Sequence, residues 1–296
     1  MRRLLLTGAS GFLAWNIARQ AVKTDEWDIM ICYHKMPVQI PGTQSIHLDL
    51  RQSQEVAKTI DSWQPDVVIH CAAASQPNFC EQNPTESYEI NVIATLNLGR
   101  LCRDQGIKMV FTSTDLVFDG TKGYLTEADA KNPISEYGLQ KSKAEDGLLA
   151  LDADISVCRM PLMYGLAPQG ATCFALELLR NWNIRRITAL FTDEYRSVLY
   201  AVDAANGLLW AANHHRGLLH LGGKERCSRY DFGMKLAATF DFNEDRIKPA
   251  KQSDVSFAAK RPADVSLSSK FAQASGFKAL SLDDGLLAMK EEMGSE

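Results

Sequence analysis

The sequence has no apolar run long enough to cross a membrane, no C-x-x-C pair and no block of like charges. Its longest uncharged stretch, Met160 to Leu176, is broken by Pro161, Gly165, Pro168 and Gly170. A span needs about 20 mostly apolar residues. Arg2-Arg3-Leu4-Leu5-Leu6 imitates the start of a secretory leader, but the run stops at Thr7-Gly8, short of the roughly 7–15 residues required. The seven cysteines are an odd number and sit mostly in apolar runs, which suits buried thiols better than a disulfide framework. The expectation is a reduced, cytoplasmic protein. Acids outnumber bases by 36 to 32, a scattered net charge of −4 that points away from nucleic acid and anionic membrane surfaces. The six histidines lack ligand spacing, and the adjacent His214 and His215 cannot face one site on a helix, so no metal is assigned. What remains is ordinary globular composition. At 296 residues and 46% hydrophobic, the chain can bury a sizeable core as one large domain or two closely joined ones.

Apolar, β-branched runs alternate with helical patterns through the first half. Strands are expected at 3–7, 29–33, 67–71, 108–113 and 155–160, and helices at 12–23, 52–61, 84–105 and 137–151. This alternation implies an α/β fold of Rossmann type, a doubly wound parallel sheet. The second half is less regular, with helices at 172–181, 203–213 and 229–240, the last opened by Ser228 with Asp231 three residues on. No Pro/Gly/Ser linker separates the halves. Residues 1–165, rejoined by 198–215, are expected to form the cofactor-binding domain. Residues 166–197 and 216–296 are expected to form a smaller, integral substrate-binding region.

Three elements carry chemistry. Gly8-Ala9-Ser10-Gly11-Phe12-Leu13-Ala14 follows a strand and opens a helix. Its glycines permit a tight turn and the approach of a pyrophosphate to backbone N–H groups. A Gly-x-x-Gly turn can also be a plain connection; the strand–turn–helix placement favours a dinucleotide. The second strand ends Tyr33-His34-Lys35 with no Asp or Glu to hold a ribose 2′-hydroxyl, so NADP(H) is preferred over NAD(H), the alternative being a solvated Lys35. Asp49 is a candidate for the adenine amino group or, equally, a helix cap. Tyr137-Gly138-Leu139-Gln140-Lys141 places a phenol and an ammonium on one helical face, where the lysine can draw the phenol's pKa down. Such spacing is common by chance, but Thr112-Ser113-Thr114 lies 23 to 25 residues upstream at a strand end.

Together the segments Thr7–Ala14, Val67–Ala74, Asn91, Ser113–Gly120, Tyr137–Lys141 and Arg261–Asp264 resemble an extended short-chain dehydrogenase/reductase over nearly the whole chain. The chain is most similar to the dTDP-4-dehydrorhamnose reductase group and the related methionine adenosyltransferase β-subunits. The resemblance implies that Thr114, four residues before Phe118, binds the substrate carbonyl, Tyr137 delivers the proton and Lys141 holds the nicotinamide ribose. Asn91 would position the lysine through water. For the cofactor it implies Gly8, Ser10, Gly11, Phe12, Leu13, His34, Lys35, Asp49, Leu50, Ala72, Ala73, Ala74 and Pro161, besides Tyr137 and Lys141. Arg196 and Arg261 match arginines that bind the diphosphate of a nucleotide sugar, with structural salt bridges as the alternative.

The departures narrow this reading. Leu116 stands where the dehydratases of this superfamily carry a glutamate base, so dehydration is not expected. The rhamnose-pathway reductases usually have Tyr there, and an acid where Asn16 follows Trp15. That acid contributes to a Mg²⁺ site in some of them, and the metal is not carried over. The expected activity is NADP(H)-dependent reduction of a keto group on a nucleotide-activated sugar. The alternatives are a non-catalytic NADP(H)-binding regulatory subunit and a sugar-nucleotide epimerase. A homodimer is the assembly left open.

Overall fold

The computed structural model describes residues 1–295. Its centre is a seven-stranded sheet of β1 (Arg2–Thr7), β2 (Trp27–Tyr33), β3 (Gln44–His47), β4 (Val67–His70), β5 (Lys108–Thr114), β6 (Ile155–Met160) and β7 (Gly217–His220). The order across the sheet is β7-β6-β5-β4-β1-β2-β3, and every pairing is parallel. The winding reverses between β4 and β1, which opens a crevice at the carboxyl ends of these strands.

Both faces are covered, as the near-continuous apolar strands require. Side chains of β1 alternate: Leu4 and Leu6 enter a core with Ile17, Ala18, Leu208 and Ala212, whereas Leu5 enters the opposite core with Ile60, Leu98, Phe111 and Leu148. The first core is built by helix α1 (Phe12–Val22) and the later helix Ala201–His214, whose alanines let the two backbones pack closely. The second is built by Ser53–Trp63, Thr95–Asp104 and α2 (Glu136–Leu149). Each fully buried leucine or isoleucine here contributes roughly 1.5–3 kcal/mol.

The long helix expected from residue 84 to 105 is interrupted. Pro84–Tyr88 and Thr95–Asp104 are joined by a π-helical turn, Glu89–Ala94, which carries Asn91. A second correction concerns β7. Sequence pattern places residues from 216 onward outside the sheet, yet Gly217–His220 forms its edge beside β6. Four residues entered through a glycine at φ 93° are too short a run to show strand periodicity.

The C-terminal region has its own apolar cluster, with Tyr164, Leu178, Trp182, Phe232, Leu236, Leu286 and Met289 at its heart. Three short strand pairs frame it: Met163–Tyr164 with Leu199–Tyr200, Tyr195–Arg196 with Cys227–Ser228, and Thr188–Phe191 with Ile247–Ala250. The Ser228/Asp231 capping box forms at the start of helix Arg229–Thr239. The terminal helix Leu282–Ser295, which the sequence pattern does not reveal, adds Leu282, Leu286 and Met289 to the cluster. Among the described residues, no helix is long and apolar enough to cross a membrane.

Candidate active site

Gly8 leaves β1 at φ 77°, and a Cβ there would lie 2.8 Å from the Ala72 backbone. Only glycine lets the exits of β1 and β4 meet this closely. The Gly11 N–H donates to the Gly8 carbonyl at 2.9 Å, and Gly11 caps α1 without any side-chain hydrogen bond. The first N–H groups of α1 therefore face the crevice as an anion-binding end.

The crevice is a cavity of about 670 Å³. Its wall includes Gly8, Ser10, Gly11, Phe12 and Leu13 from the turn, His34 and Lys35 after β2, and Asp49 and Leu50 after β3. Ala72, Ala73 and Ala74 after β4 complete it with Tyr137, Lys141 and Pro161. Sequence reasoning missed Arg51, also on the wall, whose Nε donates to Asp49 Oδ1 at 3.0 Å and whose Nη2 donates to Oδ2 at 2.6 Å. The Arg51 hydrogen bonds hold the Asp49 carboxyl down at about 2. Its signal is a cation two residues beyond a strand-end aspartate. His34 Nε2 lies 3.5 Å from the same carboxylate.

At the other end of the cavity, Ser135 caps α2 by accepting from the Gly138 N–H at 3.3 Å. Tyr137 and Lys141 follow one turn apart, 9% and 2% exposed. A Cβ on Gly138 would fall 2.1 Å from the Leu116 carbonyl oxygen, so this glycine brings α2 against the loop after Thr114. Thr114 itself is buried beside the wall formed by Thr112 and Ser113. Its hydroxyl accepts from the Leu116 N–H and donates to Asp115 Oδ1, both at 3.2 Å. The Ser113 hydroxyl donates to the buried Glu145 carboxylate and is already engaged.

The expected lowering of the Tyr137 pKa is corrected by the structure. Burial pushes the phenol up, and the charges that Cys80 and Asp115 can carry push it further. Lys141, held down to about 8 chiefly by burial, has its ammonium 4.0 Å from the Phe111 ring centre. No carboxylate among the described residues lies within ion-pair distance of it. The phenol thus stays protonated one helical turn from a cation, on the same cavity wall, an arrangement suited to giving a proton away.

Asn91 touches neither residue directly. Its Oδ1 accepts from the Ala74 N–H at 2.8 Å, while Nδ2 donates to the Ala74 carbonyl at 3.1 Å and to Gln140 Oε1 at 2.8 Å. Gln140 in turn donates to Ser87 Oγ at 2.8 Å. The π turn inserts the residue that aims this amide between the cavity's loop and the Lys141 helix.

The two arginines are not on the cavity wall. Arg196, 3% exposed, lies 3.4 Å from Asp115 and 3.1 Å from Glu194. Arg261 sits over Phe257 with its Nε buried and without a hydrogen-bond partner, and burial lowers its pKa. Glu194 also pairs with Arg229 at 2.9 Å, which gathers three guanidiniums about one carboxylate. Asn16, the residue that departs from the resemblance, donates to the Phe12 and Leu166 carbonyls at 2.9 Å.

A reversing parallel sheet, a glycine turn at its switch point and a buried Tyr-x-x-x-Lys pair define an oxidoreductase of the extended short-chain dehydrogenase/reductase class. The chain belongs to the family described as RmlD substrate binding domain, matched over residues 1–294. It is 26% identical to methionine adenosyltransferase 2 subunit beta of Xenopus tropicalis over 268 residues, 88% of this chain and 78% of that one. A hypothetical dTDP-4-dehydrorhamnose reductase from Sulfolobus tokodaii superposes with a TM-score of 0.82 at 30% identity, covering 96% of this chain and 98% of that one. The NADP complex of dTDP-4-dehydrorhamnose reductase from Bacillus anthracis gives a TM-score of 0.85 at 24% identity, covering 98% and 99%.

Proposed function

We propose that the protein is an NADP(H)-dependent reductase of a keto group on a nucleotide-activated sugar, similar in substrate class to dTDP-4-dehydrorhamnose. The observation that carries this is the placing of Tyr137 and Lys141 on the wall of the cavity that begins at the Gly8–Gly11 turn. The residues fit a dinucleotide: the α1 N-terminus lacks a capping side chain, and the Gly8 position admits no Cβ.

When bound, the nicotinamide supplies hydride to the carbonyl carbon. Tyr137 holds the proton for the carbonyl oxygen. The Thr114 hydroxyl, freed from Asp115, would orient that oxygen, and Lys141, one helical turn from the phenol, would hold the cofactor's ribose. Asn91 keeps the Ala74 loop and the Lys141 helix in register. The β-subunit relatives support a second reading, a regulatory subunit that binds the cofactor without turnover. NADPH oxidation with a panel of keto-sugar nucleotides separates the two; no consumption across the panel favours the subunit.

The preference for NADP(H) rests on His34-Lys35 after β2, where no acid stands. NADPH is expected to bind more tightly than NADH, and Lys35→Glu to narrow or invert the difference. Calorimetry finding NADH tighter in the unmodified protein would overturn this.

The arginines are expected to part ways. Arg261→Ala removes a guanidinium with an unsatisfied donor and should raise the Michaelis constant for a nucleotide sugar tenfold to hundredfold, the loss of about 1.5–3 kcal/mol. Arg196→Ala leaves buried Asp115 and Glu194 short of a cation and should cost about 3–5 kcal/mol of stability. Equal effects on melting and on substrate kinetics for the two variants would contradict the assignment.

A further inference from the structure

We infer that His70 is a positioning residue for the cofactor cavity: its imidazole fixes the Thr7 hydroxyl so that the exit loop of β4 is held against the glycine turn of β1. The inference rests on the reading of that cavity as a dinucleotide site.

His70 ends β4 directly opposite Thr7 at the end of β1. Its ring is 1% exposed and stacks on Phe111, with ring centres 5.8 Å apart. Nδ1 lies 2.7 Å from Thr7 Oγ1, and Nε2 lies 2.9 Å from Thr95 Oγ1. Thr7 Oγ1 also accepts from the backbone N–H groups of Cys71 at 3.2 Å and Ala72 at 3.3 Å.

A threonine hydroxyl has two acceptor lone pairs and one donor hydrogen. Both lone pairs are taken by the Cys71 and Ala72 amides, so the hydrogen points to His70. Nδ1 is then the acceptor, and a neutral imidazole carries its hydrogen on Nε2, which donates to Thr95. Burial and the Lys141 charge hold the ring's pKa down to about 3, so it stays neutral.

The consequence lies at Ala72. Its backbone is the surface that a Gly8 Cβ would strike at 2.8 Å, and Ala72 walls the cavity together with Cys71 and Gly8. If His70 cannot accept, the Thr7 hydrogen must turn elsewhere, and the lone pairs that hold Cys71 and Ala72 turn with it. The gap between the turn and the loop is then no longer set. The other ring nitrogen ties the same unit to Thr95, next to the wall residue Ala94.

The test uses replacements that keep one ring nitrogen each. The amide of asparagine overlays Nδ1, and that of glutamine overlays Nε2. Dissociation constants for NADPH and NADH are measured for wild type, His70→Asn, His70→Gln, Thr7→Ser and Thr7→Val, together with melting temperatures. His70→Gln and Thr7→Val are expected to weaken NADPH binding roughly tenfold, the effect of losing one buried hydrogen bond. His70→Asn and Thr7→Ser should stay within about threefold of wild type, and Thr7→Val/His70→Gln should bind no worse than Thr7→Val alone. Because valine matches threonine in shape, Thr7→Val carries the test if His70→Gln does not fold. Thr7→Val binding like wild type, or the Asn and Gln variants binding alike, overturns the inference while leaving the dinucleotide reading intact. Wild type that binds neither cofactor overturns both.

Discussion

Tyr137→Phe is expected to lower carbonyl reduction by roughly 10²–10⁴-fold, the range for loss of a general acid, with the fold and NADPH affinity kept. The phenol is 9% exposed and lies on the cavity wall. No hydrogen bond to another described residue ties its hydroxyl, so the substitution removes one oxygen and breaks no hydrogen bond among the described residues. Burial raises the phenol's pKa, so across the neutral range it is a protonated donor whose population does not change with pH. A decline in rate near neutral pH would therefore have to come from another group. The deciding measurement is NADPH consumption by wild type and Tyr137→Phe on one responsive keto-sugar nucleotide. Equal rates would remove Tyr137 from the mechanism. A regulatory subunit would instead show no turnover in either form and an unchanged effect on its partner.

The parts of this molecule that are local in sequence are legible in it. β1, the Gly8–Gly11 turn and α1 occupy adjacent residues, and their periods and turn chemistry agree. The Tyr137/Lys141 face follows from helical spacing alone. What stays hidden depends on tertiary context. The resemblance marks Asn91 as a positioning group, but its turn differs from an ordinary helix by one inserted residue, which no spacing betrays. Its partners, Ala74 and Gln140, are 17 and 49 residues away. The resemblance marks Arg196 for a diphosphate, but its ion pairs with Asp115 and Glu194 form only on folding. The direction of the Tyr137 shift reverses because sequence shows a lysine one turn away but not how little water reaches the phenol.

Lys141→Met is expected to damage function and stabilise the fold at once. The ammonium is 2% exposed and has the Phe111 ring, 4.0 Å from its nitrogen, as its close neighbour in place of a carboxylate. Burial, opposed by the smaller effects of Cys71 and Glu145, brings its pKa from 10.5 to about 8. Every tenfold gain in acidity corresponds to about 1.4 kcal/mol, so the buried cation costs the folded state about 3 kcal/mol at pH 7. Methionine fills similar volume without that penalty. The variant should therefore melt several degrees higher at pH 7, since about 1 kcal/mol moves a chain of this size by a few degrees. The pH dependence has a definite sign. Between about 8 and 10.5 the unfolded chain still holds the proton that the folded chain has released, so wild type gains stability as pH rises. Below about 8 both states are protonated, and the full deficit stands. The gap between variant and wild type should thus be widest at neutral pH and close toward pH 10.5. NADPH affinity should fall tenfold to hundredfold in the variant, as one charge-assisted contact to the ribose is lost. Wild type should show the same weakening above pH 8 as its ammonium deprotonates. Melting curves from pH 6 to 10 beside cofactor titrations test both halves. A variant less stable than wild type at pH 7 would mean that Lys141 holds the fold together, and unchanged NADPH affinity would take it out of the cofactor site.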